Sequence, residues 1–280
     1  MRYAALCLIL SGLANLGSAD IIANVVQELK TKNEGAVKNK AEWLIGGGII
    51  PQVVAGGPNW QTTIIFMSTS PGHNDKFYLR FYDNNGSPMT VPINGQEVSE
   101  VLISVPASQR VTVETDYAPN RHTSEGFAKI EDPYDCSGCQ FDRTNVTTIY
   151  RMFNIATRQL LCEATSINED GSSDVVIFPF DNDRGFVNGF AYVNTSTYSN
   201  ATVVLLAGDE QGNVLGQREI RINSMTHHAD LLTNLIPQVA GKRGTLFVLS
   251  DQYFGMAYMM LRFSPNGTFT LMPPTASLDY

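Results

Sequence analysis

Alternation of apolar and polar positions, not a helical period, runs through most of this chain. From Lys76 to Tyr82, Phe77, Leu79 and Phe81 point one way while Lys76, Tyr78, Arg80 and Tyr82 point the other. That period of two predicts a half-buried strand. Val101, Ile103 and Val105 repeat it, as do Val111, Val113 and Thr115, and later Val203, Leu205 and Ala207. The β-branched and aromatic run Thr62–Met67 has no helical period and predicts a strand. Gly126–Ile130 and Thr245–Ser250 add further strands. Hairpins are predicted for Thr147–Phe153 with Gln159–Ile167, and for Gly255–Phe263 with Thr268–Met272 across Ser264-Pro265-Asn266-Gly267. One stretch breaks the pattern. Ala229–Ile236 places Leu231, Leu232, Leu235 and Ile236 on one helical face before Pro237, which predicts a short helix.

The pattern also repeats. Trp60 aligns with Phe186, Phe66 with Tyr192, Asp83 with Asp209 and Gly86 with Gly212, always at the same spacing (186 − 60 = 126; 209 − 83 = 126) and without a gap. Asp83-Asn84-Asn85-Gly86 and Asp209-Glu210-Gln211-Gly212 are matching turns. The expected fold is therefore all-β: two tandem Ig-like β-sandwiches related by an internal repeat, with one short helix in the second. The first domain is expected over residues 44–167 and the second over 168–280, after a polar lead-in at 20–43. The polar stretch Asn168–Asp174 is expected to link the two.

Composition narrows the class. The chain has 280 residues, of which 43% are hydrophobic and 16% charged, and a formal charge of −8. That composition suits a folded protein. An acidic chain without a basic stripe is a poor partner for nucleic acid or an anionic membrane. Residues 1–19 read as a secretory signal peptide: Arg2, a short apolar stretch, and small residues ending at Ala19. Cleavage there would leave a mature charge of −9 (−8 − 1, Arg2 being removed). No later run is long enough to span a membrane, so an exported, soluble protein is expected, secreted or periplasmic.

Ile50-Pro51-Gln52, Gly57, Trp60-Gln61-Thr62-Thr63, Ser68-Thr69-Ser70 and the element Phe81-Tyr82-Asp83-Asn84-Asn85-Gly86-Ser87-Pro88 resemble a module of uncharacterised exported proteins of environmental bacteria. In the second copy, Phe178-Pro179-Phe180, Gly185-Phe186, Asn188-Gly189, His227 with Ala229, and Gly241–Leu246 fit it too. The resemblance implies Ig-like or fibronectin-like sandwiches and secretion, over roughly residues 49–272. It brings no catalytic residue, and the cysteine-containing insert departs from it.

Candidate chemistry is sparse. The insert Glu131–Asp142 holds Cys136 and Cys139, without the further ligands of a structural zinc site. In an exported protein this pair reads as a local disulfide, whereas Cys162, alternating with Leu160 and Ala164, reads as a buried thiol. Asp132, Asp135 and Asp142 in the same insert form a weak Ca²⁺ candidate, set against a simple solvated loop. No other cofactor is indicated. Asp181–Arg184 offers Ca²⁺ ligands or, alternatively, a turn shaped by its Asp and Asn side chains. His227 and His228 would face opposite sides of a strand, one packed or capping and one exposed. Tyr78 and Tyr82, opposite the apolar face of their strand, are the candidate ligand-binding aromatics. Asn145, Asn194, Asn200 and Asn266 each begin a glycosylation sequon. No nucleophile elbow, P-loop or dinucleotide fingerprint occurs. The sequence favours a non-catalytic cell-surface or extracellular binding or spacer protein, its ligand a glycan or a protein. The alternative is a secreted hydrolase acting on polysaccharide, or a carbohydrate-binding accessory protein.

Overall fold

Period-two segments become antiparallel strands throughout the computed structural model, which describes residues 27, 47–57, 59–118, 121–132, 141, 144–167, 175–252 and 255–278. The first sandwich comprises β1 (Gly47–Ala55), β2 (Trp60–Ser68), β3 (Asp75–Asp83), a small hairpin of β4 (Val91–Ile93) and β5 (Gln96–Val98), β6 (Glu100–Val105), β7 (Arg110–Glu114), β8 (Ser124–Glu131), β9 (Thr144–Phe153) and β10 (Leu160–Ile167). Its sheets run β1-β8-β3-β6 and β10-β9-β2-β7. Between them Phe66, Phe77, Leu79, Phe81, Ile103 and Ile130 form the buried core.

The second sandwich comprises β11 (Val175–Asp181), β12 (Val187–Asn194), β13 (Ala201–Asp209), β14 (Val214–Ile222), β15 (Thr226–Leu231), β16 (Arg243–Ser250), β17 (Met256–Phe263), β18 (Phe269–Leu271) and β19 (Ala276–Leu278). Its sheets run β14-β13-β16-β11-β19 and β15-β12-β17-β18. Phe178, Phe190, Leu205, Leu246 and Tyr258 lie among the core residues.

The two strand orders coincide. Replacing β1, β2, β3, β6, β7, β8, β9 and β10 by β11 to β18 in order converts one pair of sheets into the other, leaving only the β4–β5 hairpin and β19 over. The 126-residue offset maps β3 onto β13 end to end. Side chains keep their roles as well. Asp83 Oδ1 accepts the N–H groups of Asn85 and Ser87 at 2.8 and 2.9 Å, and Asp209 Oδ1 those of Gln211 and Asn213 at 2.9 and 2.8 Å. Gly86 and Gly212 close these turns at φ +79° and +82°. Asn74 Oδ1 accepts from Ala107 N–H at 2.8 Å, and its counterpart Asn200 from Ser224 N–H at 3.0 Å. The architecture is the expected sandwich. Its strand order differs from the immunoglobulin one, where the first two strands share a sheet; here β1 and β2 lie in opposite sheets.

Local structure differs from expectation in three places. The helix expected over Ala229–Ile236 shrinks to the single turn Leu232–Leu235. Thr226–Leu231 instead extends as β15, because its backbone pairs residue for residue with β12. So short a helix is marginal alone, and sheet pairing overrides it. Val214–Ile222 forms β14, although mostly exposed positions give it no clear alternation. The β4–β5 hairpin was likewise not expected. The signal peptide, the lead-in at 20–43 apart from Gln27, and the linker Asn168–Asp174 lie outside the described residues.

Candidate functional site

Asp135, Cys136, Cys139 and Asp142 also lie outside the described residues. Asp132 is described, and its Oδ2 accepts the N–H of Phe141 at 2.8 Å, joining the two ends of the insert. Phe141 is buried and meets Phe77 edge-on at 4.9 Å, so the returning end of the insert is anchored in the first core. Among the described residues, no three His, Cys, Asp or Glu side chains gather as metal ligands would. Asp181 is instead held by Arg243 at 3.2 Å and Arg262 at 2.6 Å. Its partial burial opposes ionisation, but the Asp183 backbone N–H and the two arginines outweigh that and hold its carboxyl below the usual value. Asn182 Oδ1 accepts Asn188 N–H at 2.7 Å while Asn188 Oδ1 accepts Asp181 N–H at 2.8 Å, so these side chains shape the turn.

Tyr78 is half-buried, with the Arg80 guanidinium 5.0 Å from its ring centroid. Arg80 reaches Glu131 at 2.7 Å and Glu100 at 3.1 Å, and Lys129 reaches Glu131 at 2.6 Å. Burial opposes charge on Glu131, yet Lys129 and Arg80 hold its carboxyl below the ordinary value. Tyr82 stacks on Phe127 at 5.2 Å, and burial, aided by the Glu131 charge, pushes its hydroxyl up to about 12. The two tyrosines thus share a strand face but differ in setting: Tyr82 belongs to an apolar cluster that reaches the second sandwich.

The contact between sandwiches combines apolar packing with buried hydrogen bonds. The outward face of β15-β12-β17-β18 is apolar, and the first sandwich covers it. Ala191, Met259, Leu261, Phe263 and Phe269 pack with Trp60, Tyr150, Met152 and Cys162. Val193 and Ala257 pack with Ile49 and Phe127. Trp60 meets Phe269 at 5.4 Å. The Cys162 thiol is free and pushed up by burial, with the Phe269 backbone N–H pulling the other way.

His227 closes this joint. The ring is fully buried. Nδ1 lies 2.7 Å from Asn84 Oδ1 and Nε2 lies 2.9 Å from Gln52 Oε1, both on the first sandwich. The His227 backbone N–H donates to Asn84 O at 3.1 Å. Gln52 Nε2 donates onward to Glu125 at 3.3 Å, which fixes the way its amide points. A neutral imidazole donates from one nitrogen only, so the amide of Asn84 must offer its NH₂ to the other. Burial first, and the neighbouring His228 second, lower the His227 value to about 4, with the Pro51 backbone acting against them. His228, on the opposite strand face, is exposed. The expected division between the two histidines is seen. Its partners Gln52 and Asn84 were not foreseen. Next to them, a Cβ on Gly86 would run into the Met225 carbonyl oxygen, so the Asp83 turn and the turn before β15 touch backbone to backbone.

The first sandwich carries its own copy of the covered face, on β10-β9-β2-β7, and among the described residues no other sheet packs over it. Pairing registers place Asn145 at the position of Ala257, Thr147 at that of Met259 and Arg151 at that of Phe263. Arg151 bonds Glu114 at 2.9 Å and Glu163 at 3.1 Å, and donates to Thr63 Oγ1 at 2.7 Å. Met67, at the Val193 position, is 51% exposed. Asn145 is the exposed sequon on this face. Asn194 is buried, with its amide donated to Ser199 O and Ile222 O.

Among the described residues, no helix is long and apolar enough to cross a membrane. No protein-family model matches the chain, and no curated protein does. One solved structure with some likeness is titled a "putative beta-galactosidase" from Bacteroides fragilis. It is 10% identical, the match covers 82% of this chain and 32% of that one, and the TM-score is 0.18. At that score the likeness supports no conclusion on fold or activity.

Proposed function

We propose that this protein is a non-catalytic exported module, of the uncharacterised family its motifs resemble, that holds two sandwiches at a fixed setting as an extracellular or cell-surface binding or spacer element. One observation supports this most: the joint is a continuous apolar contact closed by a buried His227 bonded to two amides of the other sandwich. A tandem pair with a small polar interface would swing about its linker; a buried apolar joint resists that. The uncovered face of β10-β9-β2-β7 is the surface such a pair would present, and a glycan or a protein is the ligand its mixed polar and apolar character suits.

The test uses the chain Asp20–Tyr280. Paired spin labels at exposed positions on the two sandwiches should give one narrow distance distribution. A panel of polysaccharides should show no turnover, and a glycan array should report binding if the ligand is a sugar. A broad distance distribution would remove the spacer proposal. Hydrolysis of any polysaccharide would replace it with the hydrolase alternative.

A further inference from the structure

The two copies treat one sheet edge differently. β6 ends the sheet β1-β8-β3-β6, and its counterpart β14 ends β14-β13-β16-β11-β19. A free strand edge is a template for further pairing unless something guards it. β14 is guarded. It turns Gln217, Glu219 and Arg221 to solvent, and its pairing with β13 shifts register beyond Ala207. Its Arg218 also donates to Asn234 O and Leu235 O of the helical turn, at 3.3 Å each. β6 has none of these devices. Its residues Glu100-Val101-Leu102-Ile103-Ser104-Val105 include no Pro, Gly or Lys, and they pair with β3 without a shift. Among the described residues, no strand pairs with its other edge. Leu102, near its middle, is 46% exposed.

The ladder fixes which backbone groups that edge offers. Phe81 N–H donates to Ser99 O at 2.9 Å. By the alternation of an antiparallel pair, Val101, Ile103 and Val105 likewise turn their N–H and C=O toward β3, while Glu100, Leu102 and Ser104 turn theirs to the open side. We propose that this edge pairs antiparallel with β6 of a second copy, about a two-fold axis through Leu102. Leu102 then exchanges both backbone bonds with its own equivalent, and Glu100 exchanges both with Ser104. This register uses every offered group, covers the exposed leucine with its twin and sets no like charges opposite each other. A register centred on Ile103 would put Glu100 opposite Pro106, which has no N–H to give. The joint involves the other flank of the first sandwich, through Ile49 of β1 and Cys162 of β10, so it is left as it is. The axis stands normal to the sheet, so the two β10-β9-β2-β7 faces come side by side on one surface of the pair.

Sedimentation velocity of the chain Asp20–Tyr280 over rising concentration tests this, with hydrogen exchange read on the same samples. A dimer should grow in with concentration. The amides of Glu100, Leu102 and Ser104 should then exchange about tenfold more slowly than in the dilute monomer. Those of Val101 and Ile103, already turned to β3, should not change. Leu102→Lys sets two ammonium groups face to face; it should abolish the dimer and leave the melting temperature of the dilute monomer at the wild-type value. Ser104→Lys sets each new lysine opposite Glu100 and should tighten the dimer. A chain that stays monomeric at every concentration would overturn the proposal. So would a dimer that Leu102→Lys leaves intact, or one that forms without protecting the Leu102 amide.

Discussion

Acid should loosen the joint through His227, and the size of the effect follows from its burial. The ordinary value is 6.5 and the folded one about 4, a gap of about 2.5 (6.5 − 4). At about 1.4 kcal/mol for each unit, the folded state forgoes about 3 kcal/mol of proton binding that the unfolded chain gains. The sign is that of a depressed value. Above pH 6.5 neither state binds the proton and the contribution of the joint is complete. As pH falls from 6.5 to 4 the unfolded chain takes up a proton that the folded one excludes, and stability is lost. Below 4 both are protonated and the loss is complete. For a chain of this size about 3 kcal/mol corresponds to roughly 6–12 °C in melting temperature. The assay is thermal unfolding between pH 7.5 and 4 for the wild type and His227→Gln. All other ionisable groups are common to the two proteins, so the difference between the curves isolates His227. Curves that stay parallel through the window from 6.5 to 4 would refute the reasoning.

Gly86→Ala should cost clearly more than Gly95→Ala in denaturant unfolding. Both sit at positive φ, but a Cβ at Gly95 meets open space whereas one at Gly86 meets Met225 O; equal losses would mean that the turn contact yields freely. Asn74→Ala and Asn200→Ala should each destabilise by about 1 kcal/mol, the worth of one backbone cap, and unequal losses would show that the repeat does not preserve this role. Mass spectrometry of exported protein should find Cys136 and Cys139 bridged and Cys162 free. A bridge to Cys162 would contradict the local-disulfide expectation. A Cys136→Ser/Cys139→Ser variant should unfold almost as the wild type does, because so short a loop removes little denatured-state entropy.

The strands were legible where alternation is strong. β3 and β13 could be placed because a core face of Phe77, Leu79 and Phe81, or Val203, Leu205 and Ala207, cannot slip by one residue without turning outward. The offset could be found because Asp-x-x-Gly turn chemistry survives at both copies. β14 was hidden: an edge strand bearing Gln217, Glu219 and Arg221 to solvent has little apolar pattern to read. The joint was hidden for another reason. Asn84 and Gln52 stand 143 and 175 positions from His227, and a polar side chain gives no local sign that it is buried. Only the adjacent histidines hinted at it, since a strand must turn one of them inward. The expected helix over Ala229–Ile236 failed because its first half had a sheet partner that local periodicity does not register.

The joint brings together dissimilar surfaces of two similar units, and a contact of that kind has no built-in end. Were both modules alike at the receiving face, each chain could accept another, and a head-to-tail filament would grow. The two modules differ at that face: the first has Arg151 where the second has Phe263, Thr147 for Met259 and Asn145 for Ala257. Docking a second joint there would take the charged group of Arg151, Glu114 and Glu163 out of water, which is costly. The divergence of the two copies at these positions therefore opposes growth of that kind.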